Sequence, residues 1–227
     1  MADPLTWEIA RVGGLLGYAL LTASVALGMA LSLKVRSTRW PRFVTNELHR
    51  FVTLLALVFV GIHSLAVWID PFTAFGPAEV LVPFVSHYRP LWIGLGIVAA
   101  YLMVAIWLSE RIRPRIGYVW WRRFHGLSFA AFALATLHGL ASGSDSRTPW
   151  AMLLYAGSLL LVTILLALRL WPEPPARSHP ILATATIVGC MVVIVWAVVG
   201  PLQPGWNAIA NNGQGSGAAA TTQAAPP

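Results

Sequence analysis

Four histidines stand inside apolar stretches of this 227-residue chain: His49, His63, His125 and His138. An ionisable side chain within a membrane-length segment is costly and marks function by default. One such histidine is usually a hydrogen-bonded core residue, but two on each of two segments is a different pattern. His49 and His63 are 14 positions apart, and His125 and His138 are 13 apart. On an α-helix these separations are about 21 and about 20 Å, inside a hydrocarbon layer about 30 Å thick. Each helix therefore carries one imidazole near each leaflet. If the two helices run the same way, His49 stands level with His125 and His63 with His138. Two imidazoles facing across a gap are the axial pair of a six-coordinate haem. The expectation is two haem irons stacked along the membrane normal, an arrangement that relays electrons. Fourteen residues return a helix to within about 40° of the same face, whereas 13 leave it about 140° away. The second histidine segment therefore needs tilt, local unwinding or a different approach edge.

The neighbouring residues suit that chemistry, each with a plainer alternative. Gly126 and Gly139 follow the histidines of the second segment and leave room for a flat macrocycle, or simply pack helices. Phe59, Phe129 and Phe132 lie between the ligands or serve as core. Arg50, Arg122 and Arg123 adjoin the inner pair and Arg89 and Arg147 the outer one, where guanidinium groups pair with haem propionates. Topology explains the same arginines. His87, beside Tyr88 and Arg89, is a further outer candidate. His179, between Ser178 and Pro180, reads as solvated.

Only 10% of the residues are charged and 57% are hydrophobic, with a mean hydropathy of +0.70. A soluble domain carries about 25% charged residues, so lipid must cover this surface. The single cysteine, Cys190, excludes an intrachain disulfide and a cysteine-held metal or iron–sulfur centre. Asp3, Glu8 and Arg11 open the chain where a cleaved signal would be positive, and the apolar run that follows is too long for one. It reads as a retained helix.

Six stretches have the length of a membrane span: Val12–Leu33, Leu48–Ile69, Leu91–Ser109, Phe124–Leu140, Trp150–Leu170 and Pro180–Gly200. Trp120, Trp121 and Trp150 frame the short fourth one as interface residues do. The fold expected is an all-α membrane protein, a six-helix transmembrane bundle over residues 1–203 with haems between helices two and four. A Gly-, Ala- and Gln-rich tail, 204–227, is expected to be disordered. Twelve of the fifteen basic residues fall in the loops after the first, third and fifth spans. That side is then cytoplasmic and both termini lie outside. The formal charge of +7 is thus a matter of topology rather than of nucleic-acid binding. The Asp70–Arg89 loop contains AEVLVPF, too apolar for a free loop, and reads as an interfacial or re-entrant piece on the outer mouth.

LHRFVTLLALVFVGIHSL and RRFHGLSFAAFALATLHGL, with VPFVSHYRPLWIGLGI between them, resemble the ferric reductase-like transmembrane domain family. Its relatives include the membrane domains of NADPH oxidases and ferric reductases, and the haem-binding membrane subunit of the methionine sulfoxide reductase system. The resemblance runs from about the first span through the fifth. It implies that His49, His63, His125 and His138 are bis-axial ligands of two haems b. No Gly-x-Gly-x-x-Gly follows a strand here, and no soluble stretch is long enough for a flavin or nicotinamide domain. The function expected is a di-haem b electron-transfer membrane component, located in the cell (inner) membrane. It takes electrons from a separate cytoplasmic flavoprotein or from quinol and passes them to ferric iron, oxygen or a protein outside. The alternative is a quinol-oxidising cytochrome b anchor subunit of a redox complex. A transporter with histidine proton relays ranks last, because the spans carry no mid-span Asp, Glu, Lys or Arg.

Overall fold

The computed structural model describes residues 4–33, 41–71, 73–170, 180–203 and 206. Among them the chain forms eight helices and no strand: α1 (Pro4–Ser32), α2 (Arg42–Ile69), α3 (Pro77–Leu81), α4 (Pro90–Ile116), α5 (Tyr118–His125), α6 (Ser128–Ser142), α7 (Pro149–Leu170) and α8 (Pro180–Val199). Five helical stretches are long and apolar enough to cross a membrane: Leu5–Ser32, Arg42–Ile69, Pro90–Ile116, Tyr118–Ser142 and Pro149–Leu170. The protein is an all-helical, multi-pass membrane protein. Six spans were expected; five meet the criterion among the described residues, and the sixth expected stretch is helical as α8. Leu153, Leu160 and Val58 are among many large apolar side chains left exposed on the spans, which suits a lipid surround. The expected tail lies outside the described residues apart from Trp206, as does His179.

Helix α1 is the organising element. It packs along α2 and also meets α6 and α7, while α4 packs along α6. Tyr18, Leu21, Val25 and Met29 are its buried stripe, spaced three and four apart as one helical face requires. Ala56, Ala131 and Ala151 are almost fully buried, and small residues let membrane helices approach closely. A polar cluster sits in this core. Thr136 Oγ1 donates to the Phe132 carbonyl at 2.8 Å and lies 3.1 Å from the Tyr18 hydroxyl. Thr22 Oγ1 donates to Ser158 Oγ at 3.2 Å. In hydrocarbon such groups must satisfy one another.

The histidines lie on α2, at the end of α5 and on α6; α2 and α6 are not extensively packed on each other, and α1 and α4 each contact both. The fourth span is interrupted. The helix ends at His125 and resumes at Ser128 through Gly126 and Leu127. There Leu127 N donates to Phe124 O at 2.9 Å and Phe129 N to Gly126 O at 3.2 Å, the three-residue spacing of a 3₁₀ turn. Such a turn advances about 120° per residue instead of 100°, which removes part of the 140° mismatch. The chain tightens at this point rather than unwinds.

At one end, residues 70, 71 and 73–89 form α3 and the turns around it. Buried Asp70 accepts hydrogen bonds from Thr6 Oγ1 (2.7 Å) and Thr73 N (2.8 Å), tying the start of α1 to the end of α2. The Tyr101 hydroxyl donates to the Leu81 carbonyl, and Phe84 lies against Gly94. The segment is therefore anchored on α4, as a piece too apolar for a free loop should be. At the same end Arg11 grips Asp145 with two bonds of 2.8 and 2.6 Å, holding α1 to the α6–α7 connection. At the opposite end α4 runs through Pro114 to Ile116. Gly117, at φ +78°, then turns the chain into α5.

Candidate functional site: two facing histidine pairs

Across the space between α2 and the α5–α6 segment, the four histidines face one another in twos. The His49 and His125 ring centres are 6.2 Å apart with planes at 71°. Those of His63 and His138 are 6.3 Å apart at 74°. All four residues are half-buried. His49 and His63 come from α2, His125 from the end of α5, and His138 from α6.

Three rings are fixed by a helical carbonyl on a flanking helix. His49 Nδ1 donates to Ser24 O at 2.9 Å and His63 Nδ1 to Ala10 O at 2.7 Å, both on α1. His138 Nδ1 donates to Trp92 O on α4 at 2.9 Å. A carbonyl oxygen only accepts, so the ring proton must sit on Nδ1 in each case. The lone pair is then on Nε2, the tautomer that binds a metal. A side-chain network supports His49: Ser24 Oγ lies 2.6 Å from Thr53 Oγ1, which donates to the His49 carbonyl at 2.7 Å. His125 is held differently. Its ring stacks on Trp121, with centres 4.9 Å apart and planes at 28°. The Arg113 guanidinium covers the Trp121 ring at 4.7 Å. Trp121 Nε1 is buried without a hydrogen-bond partner among the described residues, leaving a donor beside the His49–His125 pair.

The other expected residues are placed as follows. Arg50 is exposed and pairs with Glu47 at 3.4 Å. Arg122 is exposed, and Arg123 covers the exposed ring of Trp120 at 4.9 Å. Arg89 is engaged inside the protein. Its backbone is left-handed, with φ +46°, and its guanidinium donates to the carbonyls of Ala141 and Trp206. Burial lowers its pKa. Arg147 Nη1 reaches the Gln203 carbonyl at 3.5 Å. His87 sits on the α3 turn, bonded to Glu79 and packed on Phe75. Glu79 accepts the backbone amides of Gly76 and His87, each at 2.9 Å. These bonds and the His87 ring hold its carboxyl down at about 2. The space for a macrocycle does not come from Gly139, where an added Cβ would meet the Tyr155 hydroxyl at 2.3 Å; this glycine packs helices. Gly126 lies in the tight turn, with an added Cβ 3.0 Å from the Arg123 carbonyl. Phe132 stacks on Tyr18 at 5.8 Å, within the core.

Sequence reasoning missed Trp121 as a partner of His125, and it missed the carbonyls of Ala10, Ser24 and Trp92. The tryptophan was legible only as an interface residue, and a carbonyl has no sequence signal of its own. No group of three or more His, Cys, Asp or Glu side chains gathers among the described residues, so each site offers two protein nitrogens. No curated protein and no solved structure matches the chain. The model of one family, described as ferric reductase like transmembrane component, matches residues 13–136. That stretch contains His49, His63 and His125 and ends two positions before His138. It covers more than half of the 227 residues, and the chain belongs to the ferric reductase like transmembrane component family.

Proposed function

We propose that the protein is a di-haem b electron-transfer component of the membrane. His49 and His125 hold one iron near the basic, cytoplasmic end, and His63 and His138 hold the other near the outer end. The observation that carries this reading is the separation of the facing rings. Two imidazoles on one metal have nitrogens about 2.0 Å from it and ring centres about 1.1 Å farther back, which puts the centres about 6.2 Å apart. The paired rings stand at 6.2 and 6.3 Å. With only two protein nitrogens per site among the described residues, the remaining ligands in this reading come from a macrocycle. The family membership points the same way.

A haem bound there supplies one-electron Fe(III)/Fe(II) chemistry. The chain's own residues do the rest. The α1 and α4 carbonyls orient three imidazoles and fix their protons on Nδ1. The apolar bundle keeps water from the rings. The Trp121 indole, stacked on His125 and covered by Arg113, places an aromatic group at the cytoplasmic approach. The donor in this reading is a separate flavoprotein or quinol on the basic side. The acceptor is ferric iron, oxygen or a protein on the other side, and both termini lie on that outer face.

The test is a reduced-minus-oxidised spectrum of the purified protein with quantified haem, repeated with a flavin reductase and with a quinol as donor. Two haems b per chain, reduced through the flavoprotein, are expected. Absence of haem b sinks the proposal, and reduction only by quinol replaces it with the cytochrome b anchor.

A further inference from the structure

The three carbonyl-held histidines share a feature of the partner helix. His63 bonds the carbonyl of Ala10, and four residues on is Gly14. His49 bonds that of Ser24, and four residues on is Gly28. His138 bonds that of Trp92, and four residues on is Gly96. In a helix the residue at i+4 sits directly over the carbonyl of residue i. A side chain there would stand where a second donor must enter. The carbonyl has two lone pairs and accepts a second bond if the approach is open.

At Gly96 and Gly14 there is no room for a side chain, and at Gly28 one would just touch the ring. A Cβ on Gly96 would lie 2.6 Å from His138 Nδ1, and one on Gly14 would lie 2.9 Å from His63 Nδ1. A Cβ on Gly28 would lie 3.4 Å from His49 Cε1. In all three cases the atoms met belong to the imidazole. Among the described residues His125 has no carbonyl partner and no such glycine against it.

We infer that Gly14, Gly28 and Gly96 are positioning residues, seats that admit an imidazole to a helical carbonyl and thereby set its tautomer, angle and donor strength. The inference rests on the haem reading for its redox consequence. An Nδ1–H bonded to a carbonyl makes the ring a stronger donor, which favours the ferric state. The outer pair has two such bonds and the inner pair one. Loss of a seat therefore raises the potential of the haem it serves or loosens that haem, and such outer-shell losses typically weaken metal binding about 10- to 100-fold.

The test compares the wild type with Gly14→Ala, Gly28→Ala and Gly96→Ala in haem content and in potentiometric titration of both haems. His138→Ala and His49→Ala identify which component is which. Gly157→Ala, where nothing lies within 4 Å of the added Cβ, is the control and should match the wild type. Gly96→Ala and Gly14→Ala are expected to shift upward, or deplete, the component lost in His138→Ala. Gly28→Ala should shift the other component by less. Alanine is the better helix former, so a purely helical role predicts no such loss. Unchanged contents and potentials in all three variants overturn the inference. Should Gly96→Ala fail to accumulate, Gly14→Ala decides, and no shift in the component lost in His138→Ala overturns it. A wild type without haem instead sinks the reading under Proposed function. The seats are then read by ¹⁵N NMR of the imidazoles. Three Nδ1–H rings, one of them altered by Gly96→Ala, support the seats, and no change in that variant rejects them.

Discussion

The imidazole planes of His63 and His138 stand at 74° to one another, with their centres 6.3 Å apart, and each is pinned by a carbonyl on a different helix. The angle is set by α1 on one side and α4 on the other, so it is a property of the bundle rather than of either ring. His49 and His125 repeat it at 71°.

If the proposed di-haem reading holds, near-perpendicular imidazoles on one iron would leave its two orbitals of π symmetry close in energy, because each ring raises a different one. The oxidised protein is then expected to give highly anisotropic low-spin EPR spectra. Continuous-wave EPR of the oxidised protein at liquid-helium temperature checks this. Two rhombic spectra typical of parallel rings would count against the arrangement.

On the proposed di-haem reading, replacing the histidines one at a time should remove a single haem, the same one for both members of a facing pair. His63→Ala and His138→Ala are each expected to leave one haem per chain, with the same remaining spectrum. His49→Ala and His125→Ala should each leave the other one. Pyridine haemochrome assay with low-temperature spectra reads the outcome. A variant such as His49→Ala that matches His63→Ala would break the pairing.

Arg11 and Asp145 join α1 to the α6–α7 connection through a forked pair at 2.8 and 2.6 Å. The two side chains are 30% and 14% exposed, so the pair is only partly screened. Arg11→Ala is expected to cost about 1.5–3 kcal/mol, the range for hydrogen bonds to charged groups. Arg11→Lys should recover only part of that, since an ammonium cannot reproduce the fork. Thermal unfolding in detergent measures both, and equal melting of Arg11→Ala and wild type would show the pair to be idle.

The Glu79 carboxyl is held at about 2, below its ordinary 4.5, first by the Gly76 amide and then by the His87 amide and ring. Its folded pKa is depressed, so its contribution is present above about 4.5 and is lost as pH falls towards 2. Hydrogen exchange at Gly76 and His87 should therefore show protection dropping across that window, relative to amides within α4. Glu79→Gln should show low protection already at neutral pH. Protection that stays flat down to pH 2 in the wild type would remove Glu79 as the anchor of this turn.

Much of the fold was legible because its determinants are local. A membrane helix announces itself by length and hydropathy, and the six expected stretches each fall on helix, with ends such as Leu170 and Ile69 placed alike. The difference at the fourth stretch has a clear cause. Its apolar run continues through Gly126 and Leu127, so composition alone does not register a turn defined by hydrogen bonds of three-residue span. The sixth stretch is helical as α8 but stands apart from the five that meet the criterion.

The sequence by itself determined that four histidines lie in two membrane-length helices, one near each end of each, since rise per residue depends only on the helix. The tertiary structure decided which atoms the rings touch. Rotation about a helix axis, and the distance between two helices that do not pack extensively on each other, follow from the neighbours. Here α1 and α4 supply the Ala10, Ser24 and Trp92 carbonyls, and Gly14, Gly28 and Gly96 let the imidazoles reach them. Among 19 glycines those three carry no local mark, and only the close approach of another helix distinguishes them. The engagement of Arg89 with Ala141 and Trp206, and the stacking of Trp121 on His125, are likewise contacts between distant elements, which spacing along the chain does not encode.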